Sequence, residues 1–421
     1  MAKGIWFAVP VALGAAALVA FSDSGAPAQG KKPDAPLFLE GSAAPQPWQR
    51  YRDWNKAIWD KYNTLAKTGL TAPAAKEIEI KDEIVGDAKK GKELAFSLAR
   101  GGGCLACHVM GPDSGETPGN VGPDLSEVGN AGKPDQYLYN IIFDPRVYNQ
   151  DSPMPPWGAH GLYSGDEIKD MVAFLKTLKT PASFKTALDD PEKRPKPVEN
   201  RDALDAFVNP AVDYIEAGAA LFKKAAANGK ACASCHADAG ARFKNWAVQM
   251  PKWEPRLKHV LGVEEFIYRH AKATLDVSYL MQSRENTELS VYLHSLANGQ
   301  PLDVDVTSPG NKEAAERGKA LTFVKVGQLN FSCVDCHSPD RGANKWIRGQ
   351  WLGEPRGQLD HFPVWRTSRS EVWDIRKRFE WCNIQVRANE LPPDAAEYGE
   401  LELYLMSLSQ GLKLTAPNIR H

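Results

Sequence analysis

Three copies of Cys-x-x-Cys-His constrain this chain more than any other feature. They read CLACH (Cys104, Cys107, His108), CASCH (Cys232, Cys235, His236) and CVDCH (Cys333, Cys336, His337). The spacing is that of c-type haem attachment. Two cysteines three positions apart each form a thioether to a haem vinyl group, and the next residue turns its imidazole to the iron. A structural zinc site draws four ligands from neighbouring knuckles, whereas these motifs lie about a hundred residues apart. A thioredoxin-like motif needs a βαβ context, which the sequence pattern lacks. The motifs take six of the seven cysteines, so three covalently bound haem c groups are expected.

The motifs sit in a repeated frame. Gly91, Gly218 and Gly318, each within a short helical pattern, lie 13, 14 and 15 residues before the first motif cysteine. An amphipathic helix closes each unit: SGDEIKDMVAFLKTL, ELSVYLHSLANG and ELELYLMSLSQG. The first of these opens with a Ser164/Glu167 capping box. Helix, motif, long loop and terminal helix is the plan of a small cytochrome c. The expected fold is therefore mainly α, with three cytochrome c-like domains and long loops. A chain of 421 residues has room for two to four domains. The expected units are 86–180, 210–302 and 303–421, with 181–209 a charged, proline-bearing linker.

The remaining N-terminal residues divide in two. Residues 1–28 read as an export signal: Lys3, an apolar run over 5–21, and the small-x-small site Ala26-Pro27-Ala28. The run is also nearly long enough to stay as a membrane anchor; if it is cleaved, no stable membrane insertion is expected. Either outcome places the protein in an oxidising compartment, the periplasm. Residues 29–85 form an extension whose stretch PWQRYRDWNKAIWDKY has aromatics at helical spacing, suited to packing on a cytochrome domain. A net charge of −1 gives no basic footprint for nucleic acid.

A haem held by one histidine keeps a sixth position, and its occupant sets the chemistry. In the first unit the candidate is Met154, in SPMPPWG, 46 residues after His108. Met110 is too close to the motif, and Met171 belongs to the terminal helix. In the third unit a count of 45 from His337 reaches Cys382, the one cysteine outside a motif. The second unit leaves alternatives open. A count of 45 from His236 reaches Met281, while 18 back from Glu288 reaches His270, as 18 back from Glu400 reaches Cys382. His270 is preferred, because the last two terminal helices are close relatives; Met281 and His259 remain alternatives. His160, His294 and His361 read as core or surface histidines.

These residues resemble a known family. GGGCLACH, GNVGPDL and DPRVYNQDSPMPPWG are similar to the SoxX subunit of thiosulfate-oxidising SoxAX cytochromes. GQLNFSCVDCH, IRGQWL, FPVWR, RFEWCNIQVRANELP, ELELYLMSLSQGL and APNIRH are similar to the SoxA subunit. The chain thus looks like SoxX and SoxA in one polypeptide. The resemblance implies oxidative coupling of thiosulfate to a cysteine of the SoxYZ carrier protein, with two electrons leaving to a separate acceptor cytochrome c. It implies a cysteine ligand, often a persulfide, at Cys382, with Arg378 nearby. The chain departs from the family in being fused and in placing His270 where a two-haem SoxA usually has cysteine.

The residues themselves support a sulfur site. A thiolate on iron is a strong donor that lowers the haem potential. Arg378 precedes Cys382 by four residues, so on a helix the two share a face. A guanidinium there favours a thiolate and can grip a sulfonate bidentately. Arg341, Arg348 and Arg387 are weaker candidates for the same anion. The competing readings are a tri-haem electron carrier without substrate chemistry and a tetrathionate-forming thiosulfate dehydrogenase.

Overall fold

A computed structural model describes residues 56–70, 74–81, 83–99, 103–115, 117–198, 200 and 202–420. The expected export signal lies outside the described residues. The first unit contains α1 (Ala88–Phe96), α2 (Asp135–Phe143) and α3 (Gly165–Thr177). Asp87 caps α1 by accepting from the N–H groups of Lys89 and Lys90. The Ser164/Glu167 box forms at the start of α3, as its sequence signature predicts.

The second unit runs α4 (Asp213–Lys223), the motif helix α5 (Cys232–Cys235), α6 (Ala239–Phe243), β1 (Lys252–Glu254), β2 (His259–Leu261), α7 (Val263–Leu275) and α8 (Arg284–Leu296). The third runs α9 (Pro309–Leu321), the motif helix α10 (Cys333–His337), β3 (Lys345–Ile347), β4 (Gln350–Leu352), β5 (Val364–Arg366), β6 (Glu371–Trp373), α11 (Ile375–Gln385), α12 (Ala396–Leu408) and β7 (Asn418–Arg420). β1 and β2 pair antiparallel, as do β3 and β4. β5 is central in the remaining sheet, antiparallel to β6 and parallel to β7.

The repeated glycines have one cause. A Cβ on Gly91 would stand 2.0 Å from the Asp170 carbonyl oxygen on α3. On Gly218 it would stand 2.1 Å from that of Glu288 on α8, and on Gly318 2.0 Å from that of Glu400 on α12. Each upstream helix thus crosses its terminal helix backbone to backbone, and no side chain fits the crossing.

The apolar faces then set the packing. Ile168, Met171 and Val172 of α3 are buried against Leu138 and Ile142 of α2. Each such side chain contributes about 1.5–3 kcal/mol. The second and third units share one core, in which Leu289 and Leu293 of α8 join Leu403 and Met406 of α12. The first unit's core instead reaches Leu329 and Phe331 of the third.

Two contacts define the junctions. Asn120 and Trp346 exchange hydrogen bonds between the first and third units: the Trp346 N–H donates to Asn120 Oδ1 at 2.7 Å, and the Asn120 N–H to the Trp346 carbonyl at 3.1 Å. Residues 181–209 do not hang free. Arg194 lies 4.8 Å over the Trp346 ring and Lys196 4.9 Å over Trp351. Between the second and third units Arg376 is fully buried. It donates to Glu265 at 2.6 Å, to Glu402 at 2.7 Å and to the carbonyls of Val260 and Pro393. In the N-terminal extension, Lys56–Lys61 forms a 3-10 helix whose Trp59 packs on Trp373, Trp381 and Ile384. Trp59 thus docks on the third unit, while Trp48, Tyr51 and Trp54 of the same stretch lie outside the described residues. No helix among the described residues is long and apolar enough to cross a membrane.

Candidate functional site

Each motif begins a short helical turn: a 3-10 turn at Cys104–Ala106, α5 and α10. Burial pushes the thiols of Cys104 and Cys333 up to about 12 and that of Cys107 to about 11. Cys336 rises as well, through burial and then the nearby Cys382 and Cys107. Pockets that resist a thiolate suit a neutral thioether. The histidines also fit. His108 Nδ1 lies 2.7 Å from the Pro123 carbonyl and His337 Nδ1 2.7 Å from that of Gly353. As donor to a carbonyl, Nδ1 carries the proton and leaves Nε2 free as a ligand. Burial lowers the affinity of both rings for a second proton, which keeps them neutral. Gly122 makes room for this ring, since a Cβ there would stand 2.2 Å from His108 Cε1.

In the second unit the rings of His236 and His270 lie 6.2 Å apart between centroids. That spacing leaves room for a metal ion between the two rings, so His236 and His270 could both serve a haem iron as nitrogen ligands. His270 stacks on Phe266 at 5.4 Å, one turn back on α7. Met281 is fully buried against Tyr268. Tyr268 precedes His270 by two residues and so faces the other side of α7. His259 Nε2 sits 3.1 Å from Glu265 Oε2, engaged in a hydrogen bond.

In the first unit Met154 packs at the edge of the same core as Cys104 and Leu105. Its N–H donates to Ser152 Oγ at 3.1 Å. Met110 and Met171 are 1% exposed core residues. His160 is buried and His294 half-buried, and desolvation drops each to about 4. His361 is buried beside Asp360.

In the third unit Cys382 and Arg378 lie one turn apart on α11. Cys382 is close enough to raise the thiols of Cys333 and Cys336, and Arg378 to disfavour a cationic His337. His270 is the eighth residue of α7 and Cys382 the eighth of α11, and each helix follows a two-stranded hairpin.

One site residue escaped the sequence: Arg366, the end of FPVWR and of β5. Burial, followed by the neighbouring charge of Arg378, pulls it down to about 10, with Cys382 acting in the opposite sense. Its Nε is buried without a hydrogen-bond partner. Among the described residues neither Arg366 nor Arg378 has an ion pair. Both side chains are half-buried, and an unmade hydrogen bond at a buried donor is costly, so the Arg366 Nε is a donor that an anion could satisfy. The weaker candidates are engaged elsewhere. Arg341 binds Asp335 and Asp151, the Arg387 guanidinium donates to Gln328 at 3.0 Å, and Arg348 lies near Cys107.

A neutral thioether is what these pockets accept, and a neutral imidazole is what their histidines offer; together they make the chain a c-type cytochrome. The family model "SoxA/TsdA, cytochrome c domain" matches residues 217–302, and "Cytochrome C oxidase, cbb3-type, subunit III" matches 86–175. The L-cysteine S-thiosulfotransferase subunit SoxA of Chlorobaculum thiosulfatiphilum is 32% identical over 206 residues, covering 49% of this chain and 70% of that protein. The SoxA of Pseudaminobacter salicylatoxidans is 30% identical over 218 residues, covering 51% and 75%. The crystal structure of SoxXA from P. pantotrophus superposes with a TM-score of 0.48 at 24% identity, over 52% of this chain and 82% of that one. The chain belongs to the SoxA family.

Proposed function

We propose that this chain is a SoxAX-type L-cysteine S-thiosulfotransferase with three covalent haem c groups. His108 and Met154, His236 and His270, and His337 and Cys382 are the residues that would hold the three irons. The units 86–180, 210–302 and 303–421 each hold one haem, and the first serves the part of SoxX. The protein acts in the periplasm on thiosulfate and a SoxYZ-like carrier protein, and delivers electrons to an acceptor cytochrome c.

The observation that carries this reading is Cys382. It occupies on α11 the position His270 holds on α7, beside two guanidiniums that lack a carboxylate. Arg378 and Arg366 receive the sulfonate oxygens and aim the outer sulfur of thiosulfate at Cys382. A sulfur–sulfur bond forms between that sulfur and the Cys382 thiolate, and two electrons leave. The haem groups, when bound, supply the one-electron acceptors for them. The carrier thiol, losing its proton, then attacks the thiosulfate-derived sulfur bonded to Cys382. The thiosulfonate passes to the carrier and the Cys382 thiolate departs.

The test is Cys382→Ala. Its haem content should stay at the parent's value while thiosulfate turnover with the carrier is lost. Activity like the parent's would sink the proposal. A parallel assay without carrier separates the tetrathionate-forming reading, which requires full turnover under those conditions.

A further inference from the structure

Asp335 sits inside CVDCH and is 1% exposed. Its carboxylate accepts from the Ser332 N–H at 2.7 Å, Ser332 Oγ at 2.8 Å, Lys325 Nζ at 2.7 Å and Arg341 Nη1 at 2.5 Å. Two cations held by one buried carboxylate lose most of their rotamer freedom, so anything they bind next is fixed in place. What they bind next belongs to the first unit. Arg341 Nη2 pairs with Asp151 Oδ2, and Lys325 Nζ lies 3.7 Å from Asp151 Oδ1. Lys325 Nζ also donates to the Ser152 carbonyl at 3.2 Å.

The loop so held carries Met154, whose N–H is bonded to the Ser152 side chain. From the attachment helix α10 to Met154 the route is Asp335, Lys325, Ser152, Met154. An isolated exposed ion pair contributes little. This one differs, because its cations are anchored on a buried partner.

We propose that Lys325 and Arg341 are positioning residues for Met154, holding the loop of the first site from the attachment helix of the third. This rests on Met154 being the sixth ligand of the first haem. It follows that the ligand state of one haem depends on the unit that carries another.

The test uses the full holoprotein, with two readouts: the methionine-to-iron charge-transfer band and the midpoint potential of the first haem. Lys325→Ala should lose at least half of the band and lower that potential, at unchanged haem content and unchanged third-haem spectrum. Lys325→Arg should restore both. Asp151→Ala, at the exposed rim, should move both readouts the same way and by less. Lys92→Ala removes an ion pair to Asp113 within the first unit and should move neither. If Lys325→Ala misfolds, Asp151→Ala decides. A parental band and potential in a folded Lys325→Ala, or in Asp151→Ala if that variant decides, overturns the proposal. A parent protein without the band would instead overturn the Met154 assignment itself, and the proposal with it.

Discussion

The second and third units use one scaffold for two chemistries. In each a hairpin leads into a helix whose eighth residue points to the motif: His270 on α7 and Cys382 on α11. In each the upstream helix crosses the terminal helix at a glycine. The third unit adds the β3–β4 hairpin and strand β7, but around the two helix positions the differences are few and local. His270 has Phe266 against its ring, an apolar neighbour that suits a closed pair of imidazoles. Cys382 has Arg378 one turn away and Arg366 across from β5. Under the proposed function the backbone frame sets where a ligand stands, while one helical position and its neighbouring charges decide whether a substrate can join it.

Cys382→His breaks the comparison outright by giving α11 the side chain of α7. Turnover should vanish, and the third haem should take on a bis-imidazole spectrum like the second. Residual turnover near the parent's would show that the sulfur is dispensable. Arg366→Ala should act next most strongly. A hydrogen bond to a charged group is worth about 1.5–3 kcal/mol, so kcat/KM for thiosulfate should fall roughly 10- to 100-fold. A purely structural Arg366 would leave the thiosulfate kinetics of the folded variant unchanged.

The last contrast lies outside turnover, at the second residue of each helix, where α7 has Glu264 and α11 has Arg376. Burial, then the charges of Asp374 and Glu402, push the Glu264 carboxyl to about 8 from an ordinary 4.5. A raised carboxyl contributes stability that is fully present below its unfolded value. That stability is lost as pH climbs through the folded value. Between about pH 5 and about pH 8 the parent should therefore lose stability through this group. Glu264→Gln should lose less across the same window, as read by denaturant midpoints. Parallel curves for the two proteins would show that Glu264 does not carry the effect.

Much of this was legible in the sequence. The motifs are covalent chemistry written at fixed spacing, and the glycines mark crossings that the crossed helix backbones close to any side chain. Counting from those landmarks nominated Met154, His270 and Cys382, and the structure brings His270 to His236 and Cys382 to Cys333 and Cys336. What stayed hidden depends on partners far away in the chain. Arg376 meets Glu265 across 111 residues and Asn120 meets Trp346 across 226, and no local pattern marks either pair. Arg366 was missed because its meaning lies in what it lacks, a counter-charge, which no sequence window displays. Residues 181–209 read as a spacer for their prolines and charges. Yet Arg194 and Lys196 lie on tryptophan rings, a use of cations that composition does not distinguish from solvation.

The seating of the first unit on the third has a kinetic consequence. Where two redox proteins are separate, each exchange waits for an encounter whose frequency falls on dilution. Here the partner is tethered by its own backbone and docked through Asn120 and Trp346. Its effective concentration is therefore a property of the molecule rather than of the solution. Diluting the protein changes how often it meets its substrates, but not how often its two ends meet each other.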